Sequence, residues 1–414
     1  MVRRTLQLIS LLLFIGHVSA FAGGSIFSGN GLGEPQIQGG ARAVGLAGGG
    51  LGLVDSMAFN TSNPSLAAFS RSALFRMSGQ LGVWTVKSDG ETDSDGEIAW
   101  SDFTVFLPVT GKYKIGLGVE AATRVDLRTF TPREAVFTGS DSVAAYEERA
   151  VWNGGTTDIR LVNAYRLSDR LAVGLTLAYS FVNLNRDITL DFESSDYQNA
   201  AYYQTARFKG WWTKVGFLWK PADKIGIGAY YRPRSGGDWE LEIFENDGSK
   251  AILTKRDGDT PSALGGGLSV MPHETWAITA DLQTQFWSRR YLGILYDNND
   301  QIVVKDPLFM SVGVEKFAKH DRLGGNMGQW AYRGGFFYRS HYWTNDAGDP
   351  VTEYGISLGT SIPVGGWLGR LHIAEEIGSR GSNDFGATEN FFRTSLQLEM
   401  SEQWFQRDNP RIPK

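Results

Sequence analysis

Apolar residues alternate with small or polar residues along most of the chain, and this alternation limits the possible folds more than any other feature. Between Leu171 and Phe181, leucine, valine, tyrosine and phenylalanine occupy every second position, and alanine, glycine, threonine and serine lie between them. A period of two residues places the two sets on opposite faces of a strand. The pattern therefore predicts an all-β chain.

The alternation recurs in fourteen segments from residue 73 onward. Most are about 10 residues or longer, whereas strands of soluble proteins are usually about 5–6 residues long. A tilted strand needs about 9–11 residues to cross a bilayer, so these segments have the length of transmembrane strands. The predicted strands are residues 73–86, 97–108, 112–127, 155–167, 170–190, 204–219, 223–243, 262–271, 274–287, 308–318, 329–342, 352–363, 367–380 and 390–405.

The links between these segments are alternately short and long. Ser168-Asp169 and Pro221-Ala222 are short links, whereas residues 128–154 and 244–261 are long ones. Transmembrane barrels show this difference, with short periplasmic turns and longer external loops, and single-chain bacterial barrels have an even number of strands. A soluble propeller or stacked sandwich explains the alternation but not the strand lengths and the rhythm of the links. The sequence therefore predicts a 14-stranded antiparallel transmembrane β-barrel over residues 73–405.

The first twenty residues have the pattern of a secretory signal peptide. Arg3 and Arg4 precede a short apolar stretch, and small residues offer cleavage after Ala20 or after Ala22. We therefore expect an exported protein of the cell outer membrane. Residues 406–414 follow the last predicted strand and are expected to form a periplasmic tail.

The amino-acid composition excludes several classes of function. The chain has no cysteine, 5 histidines and a net charge of −5. It therefore has no cysteine nucleophile, no cysteine-based metal site and no basic surface for nucleic acid. The histidines lack partners at metal or triad spacing, so we expect no enzyme activity, no catalytic residue, no metal and no cofactor. A barrel hydrolase remains a minor alternative.

A glycine-rich segment, residues 21–72, precedes the first predicted strand. It contains no Gly-Lys-Ser/Thr sequence and no βαβ context, so a nucleotide-binding loop does not fit. Small residues allow backbone to pack closely in a confined space, which favours a compact plug inside the barrel lumen. Within it, Asn63 is expected to cap a turn or short helix that has Pro64 at its first position.

Motifs at both ends of the chain resemble those of FadL-like outer-membrane transporters. The sequence from Gly40 to Ala43, the glycine run after it, Asp55 and Asn63-Pro64 are similar to the family's N-terminal plug motif. Near the C-terminus, residues 354–359, 378–382 and 389–393 resemble the PorV-like branch of these barrels. The residues matched to the plug motif are Gly40, Arg42, Gly48, Gly50, Asp55, Asn63 and Pro64.

The resemblance implies passive uptake of hydrophobic small molecules such as long-chain fatty acids, with lateral release through the barrel wall. The PorV-like alternative implies a component of type IX secretion that binds exported protein cargo and contacts other secretion components. In either case the barrel is expected to be a monomer surrounded by outer-membrane lipid and lipopolysaccharide.

The alternation also predicts which arginines face the lumen. An arginine that faces lipid at the bilayer midplane costs about 2–4 kcal/mol, so arginines within strands are expected on the inner face. A cationic group there can bind a fatty-acid carboxylate, although such charges also form structural networks. The candidate ligand contacts are Arg232, Arg333, Arg339 and Arg393.

Overall fold

A computed structural model describes most of the chain. The described residues are 24–55, 59–88, 90–136, 143–244, 250–287, 304–318, 326–345, 348–364, 369–382 and 385–402. The predicted signal peptide and periplasmic tail lie outside them, and the division of the chain after residues 20, 72 and 405 remains a prediction. In this part of the chain, no helix is both long and apolar enough to cross a membrane.

The strands form one antiparallel sheet that closes on itself, because the last strand pairs with the first. This closure confirms the predicted 14-stranded barrel. Two strands, β7 and β8, are each interrupted. The barrel strands are β1 (Ala73–Ser88), β2 (Glu91–Pro108), β3 (Tyr113–Val136), β4 (Val143–Ser168), β5 (Leu171–Phe192), β6 (Ala200–Ala222), β7 (Ile225–Arg232 and Ser235–Phe244), β8 (Lys250–Thr260 and Ser262–His273), β9 (Trp276–Phe286), β10 (Leu308–Lys316), β11 (Ala331–Thr344), β12 (Pro350–Val364), β13 (Gly369–Ser382) and β14 (Ala387–Glu402).

The two faces of the barrel differ as the alternation predicts. Large apolar side chains such as Leu117, Val312 and Leu358 are more than half exposed on the outer face. Charged side chains such as Glu353 and Arg380 are fully buried on the inner face. The outer face is therefore suited to lipid, and the inner face forms a polar lumen.

The residues before β1 lie inside the lumen. They form two 3₁₀ turns, Ile26–Gly29 and Pro64–Phe69, a short strand, Glu34–Pro35, and a helix, α1, at Gly40–Gly45. Almost every residue from 39 to 53 is buried. Gly228 on β7 lies so close to this segment that a Cβ there would clash with the Leu51 carbonyl. Glycine is needed at this point because the segment and the wall touch through their backbones.

Several strands extend well beyond the predicted bounds. Residues 128–136 and 143–154, predicted as one long loop, are paired strand in β3 and β4. Residues 250–260, also predicted as loop, pair with the second half of β7. These extensions carry polar residues on both faces, so the alternation that marks a membrane-spanning strand is absent from them.

Candidate functional site

A cavity of about 230 Å³ lies in the lumen next to the N-terminal segment. It is on the side of the barrel where the strands extend beyond their predicted bounds. One wall is aromatic and comes from β6, β7 and the end of β9. The segment beneath contributes Gln38, Gly48 and Ser62. Aromatic walls with a few polar groups are typical of small-molecule sites. The aromatic residues of this wall are Phe208, Trp212, Tyr230, Trp239 and Trp287.

Two cationic side chains reach into the cavity next to these rings. The Lys214 ammonium lies 4.8 Å from the centre of the Tyr230 ring and donates a hydrogen bond to Gln38 at 3.1 Å. The Arg232 guanidinium lies 5.6 Å from the centre of the Trp212 ring. Within the described residues neither cation forms an ion pair. The cavity therefore offers two cations without a direct ion pair, although the carboxylate of Asp158 also lines it.

Two prolines shape the wall beside Arg232. Pro233 follows the first half of β7, and Pro261 separates the two halves of β8. Proline cannot donate a hydrogen bond to the strand ladder, so both strands are interrupted at the same level. The Pro261 carbonyl accepts a hydrogen bond from Arg232 at 3.2 Å. The interruption thus places the guanidinium at the cavity surface.

The opposite wall is formed by the end of β11. Arg339 donates to Glu353 at 2.9 Å and to Glu376 at 3.2 Å, so its charge is compensated. Tyr342 stacks on Trp287 with 4.0 Å between ring centres. Its hydroxyl accepts a hydrogen bond from the Leu32 amide at 2.7 Å. This tyrosine therefore connects the cavity wall to the N-terminal segment.

The barrel wall is incomplete between β2 and β3. These strands pair only from Asp102–Glu120 to Pro108–Lys114. Beyond that level, residues 91–101 of β2 pair with β1, and the rest of β3 pairs with β4. Gly155 on β4, with φ +140°, lies where a side chain would clash with the Thr123 carbonyl. The backbones of β3 and β4 therefore pack closely at the level where β3 no longer pairs with β2.

The N-terminal segment lies along the edge of β3 that this separation exposes. The Gln36 amide donates to the Ala122 carbonyl at 2.9 Å, and the Gly24 amide donates to the Asp126 carbonyl at 2.9 Å. Between them, Glu34 is the register partner of Arg124. The segment therefore separates the cavity from the gap.

Ion pairs hold the segment and the gap in place. Arg124 crosses from β3 to Glu97 on β2, with 2.8 Å between Nε and Oε1. Glu34 binds Arg380 and Arg393, each at 2.8 Å. Burial alone would raise the pKa of Glu34, but these two guanidinium groups lower it below its usual range. Glu34 is therefore a buried carboxylate whose charge is compensated by the barrel wall.

Further down, the residues of the plug motif bind one another and the barrel. Arg42 pairs with Glu315 at 2.9 Å and with Asp55 at 3.1 Å. Gly48 and Gly50 have positive φ angles, +82° and +96°, which glycine adopts readily. Gly40 also has a positive φ, +73°, at the start of α1. These residues make the segment compact, and of them only Gly48 also lines the cavity.

Two polar side chains tie the glycine loop to its surroundings. Asp281 on β9 accepts hydrogen bonds from the Gly50 and Leu51 amides, each at 2.8 Å. Asn63 caps the turn that begins at Pro64, and its amide donates to the Leu51 carbonyl at 2.9 Å. The Asn-Pro pair thus has the local structure that the sequence predicts.

The four candidate arginines divide into two groups. Arg232 and Arg339 line the cavity. Arg333 is buried against Glu315 and Ser361, and Arg393 against Glu34 and Glu353, so both belong to structural networks. No group of three or more histidine, aspartate and glutamate side chains in the described part of the chain is arranged to hold a metal ion.

Sequence reasoning missed Lys214, Trp212 and Tyr342. Of the neighbouring Trp211 and Trp212, only Trp211 faces outward, at 59% exposed, and Trp212 is buried in the lumen. The alternation contained this signal, because Trp212 and Lys214 occupy the inward positions of β6. Tyr342 had no comparable signal, since its role depends on the path of the N-terminal segment.

Comparison with known proteins adds a family and a set of similar folds. A family model described as BamG matches residues 1–409. The chain belongs to the BamG family. No curated protein matches it. The family and the barrel fold together indicate an outer-membrane protein.

Solved structures share the fold at low sequence identity. A Pseudomonas aeruginosa FadL homologue has a TM-score of 0.62 and 13% identity, and the match covers 89% of this chain and 99% of that one. The Ralstonia pickettii toluene transporter TbuX has a TM-score of 0.57 and 15% identity, with 88% and 99% covered. The P. putida toluene transporter TodX has a TM-score of 0.56 and 13% identity, with 89% and 99% covered. The chain thus has a FadL-like fold.

Proposed function

We propose that this protein carries hydrophobic or amphipathic small molecules, such as long-chain fatty acids, passively across the outer membrane. The observation that carries the proposal is the aromatic cavity with two cations that form no direct ion pair, Lys214 and Arg232, inside a membrane-spanning barrel. The rings accept an apolar body, and the cations accept an anionic head group. The solved structures with a similar fold include toluene transporters, which supports the same class of cargo.

Lateral release is the exit that best fits this arrangement. The gap between β2 and β3 begins at the level of Asp102 and Glu120. Only residues 32–36 of the N-terminal segment separate it from the cavity, since Leu32, Pro35 and Gln36 line the cavity on that side. Movement of this short stretch would connect the cavity with the surrounding bilayer. An apolar cargo would then avoid water on its exit.

The test combines binding with uptake. The purified barrel is titrated with oleate and with toluene while the fluorescence of its cavity tryptophans is followed, and uptake is measured in cells that lack other such barrels. We expect saturable quenching and saturable uptake that depends on the protein. Absence of saturable binding together with unchanged uptake contradicts the proposal.

A second candidate is binding of exported protein cargo, as in the PorV-like alternative. The observation in its favour is the length of β3 and β4, 24 and 26 residues, which exceeds what a bilayer requires. Their extensions, residues 128–136 and 143–154, offer a surface to such a protein. Deletion of residues 130–147 distinguishes the two functions, because it removes cargo binding but leaves the cavity and small-molecule uptake intact.

A further inference from the structure

A carboxylate lies on the outer, lipid-facing side of the barrel. On β13 the inward residues His372, Ala374 and Glu376 are fully buried. Glu375 lies between them and therefore points outward, in the same row as Ile373 and Ile377. Its position is the opposite of what the bilayer favours for a charged side chain.

Glu375 is central in the apolar outer face rather than at its border. It is the seventh of the 14 residues of β13. Its register partners are Leu358 on β12 and Thr394 on β14. Nearby, Leu358 is 59% exposed, Ile377 48% and Phe392 45%. By contrast, Lys316, an outward-facing charge of β10, lies at the end of its strand.

The carboxylate is only partly satisfied. Thr394 donates a hydrogen bond from Oγ1 to Oε2 at 2.7 Å. Within the described residues, Oε1 has no partner. Lipid tails contain no donor, and polar groups at membrane depth are costly unless they are paired. A donor from another molecule at this depth would complete the contacts of Glu375.

We propose that the outer face of β12, β13 and β14 around Glu375 binds another outer-membrane protein. The contacting transmembrane surface of that protein presents a hydrogen-bond donor, either a basic side chain or a hydroxyl, to Glu375. The apolar residues around the carboxylate pack against the partner and exclude lipid from the pair. This surface lies on the outside of the barrel, so it is independent of the cavity and of the proposed transport.

Charge complementarity favours a different protein over a second copy of this chain. A two-fold dimer centred on this face would bring two Glu375 carboxylates together, and both are acceptors. The neighbouring hydroxyls are already engaged, because Thr394 donates to Glu375 and Thr360 donates to the Ala331 carbonyl at 3.1 Å. Among the described residues next to Glu375, the face thus lacks a free donor for a second carboxylate.

Photo-crosslinking of the full-length protein in intact outer membranes tests this proposal. The photoreactive residue p-benzoylphenylalanine replaces Leu358, next to Glu375, or Leu268 on β8 as the control position. We expect one discrete adduct from position 358 and none from position 268. Mass spectrometry of the adduct should identify a transmembrane segment with a donor side chain at the crosslinked depth.

The variant Glu375→Leu separates a protein contact from simple lipid exposure. If this face binds a partner, E375L should reduce the adduct by at least about threefold, given the strength of polar contacts inside membranes. The change Ile377→Leu is the matched control and should leave the adduct unchanged. Retained heat-modifiability on gels shows that both variants form barrels.

Three outcomes overturn the proposal. The first is labelling of lipid alone at position 358. The second is an adduct with a second copy of this chain, and the third is an adduct whose yield does not change in E375L. If Glu375 simply faces lipid, E375L should be neutral or increase the thermal stability of the barrel.

Discussion

Arg42 in the N-terminal segment and Glu315 on β10 form a buried ion pair, with 2.9 Å between Nη2 and Oε2. Glu315 also binds Arg333 on β11 at 2.7 Å, so this carboxylate contacts two cations. The pair connects the helix of the segment directly to the barrel wall. Removing one member of such a cluster leaves a buried charge without a partner.

Glu315→Gln should therefore loosen the segment. The cost of breaking a buried ion pair is about 3–5 kcal/mol, because the remaining charge stays desolvated. We expect a lower unfolding temperature on heat-modifiability gels and larger ion conductance in planar bilayers, since the lumen becomes less occupied. Arg207→Gln removes an exposed ion pair with Glu242 and serves as the control. Equal behaviour of the two variants would show that Glu315 does not hold the segment.

Asp281→Ala should release the glycine loop specifically. The carboxylate accepts hydrogen bonds from the Gly50 and Leu51 amides, and both amides are buried. An unsatisfied buried donor costs about 1–3 kcal/mol. Hydrogen exchange should become faster at residues 49–53 in D281A. Asp281→Asn keeps one acceptor and should lie between D281A and the unchanged protein; equal exchange in all three would contradict the role of Asp281.

The sequence was sufficient for the architecture because a barrel strand carries its own signal. Each of the fourteen predicted segments corresponds to one barrel strand, since the bilayer imposes apolar residues at alternate positions. The extensions of β3 and β4 could not be predicted in this way, because a strand with water on both faces does not need apolar residues at alternate positions. The turn capped by Asn63 could be predicted for a similar reason, because a cap depends only on residues that are neighbours in the sequence.

The site was less predictable because it depends on contacts between distant residues. The alternation places Arg232 and Arg393 equally in the lumen, yet Arg232 lines the cavity and Arg393 is neutralised by Glu34. Glu34 is 359 residues away along the chain, and no local pattern connects the two. The outward position of Glu375 among apolar residues could not be predicted from the sequence, because it depends on the register of β13.

Glu34→Gln should weaken the stretch of the segment that covers the gap, and the effect should depend on pH. The pKa of Glu34 is lowered by Arg380 and Arg393, so its charge stabilises the folded state at neutral pH. A group with a lowered pKa contributes fully above its ordinary pKa and loses its contribution as the pH falls through the lowered value. Hydrogen exchange at residues 30–36 should therefore be faster in E34Q at pH 7. The difference from the unchanged protein should vanish in strong acid, and a difference that persists there would contradict this origin.

Replacing both cavity cations should separate anionic from neutral ligands. A hydrogen bond to a charged group contributes about 1.5–3 kcal/mol, so Lys214→Met with Arg232→Met should weaken oleate binding by roughly tenfold to a hundredfold. Toluene binding should change little, because the aromatic wall remains. Fluorescence titration with both ligands measures this. Arg207→Met, which changes an exposed arginine outside the cavity, is the control, and an equal loss for both ligands would contradict the role assigned to the cations.

A reversible cross-link between the N-terminal segment and β3, at the edge of the gap, should block release. Pro35 and Thr123 are register partners on the segment and on β3, and the chain has no cysteine of its own. Pro35→Cys with Thr123→Cys allows a disulfide at strand-pair distance. Uptake should be lost when the pair is oxidised and should return on reduction. A disulfide between Cys at Ala280 and Val312, partners in the closed part of the wall, should have no effect. Unchanged uptake with residues 35 and 123 linked would mean that cargo leaves the cavity by another route.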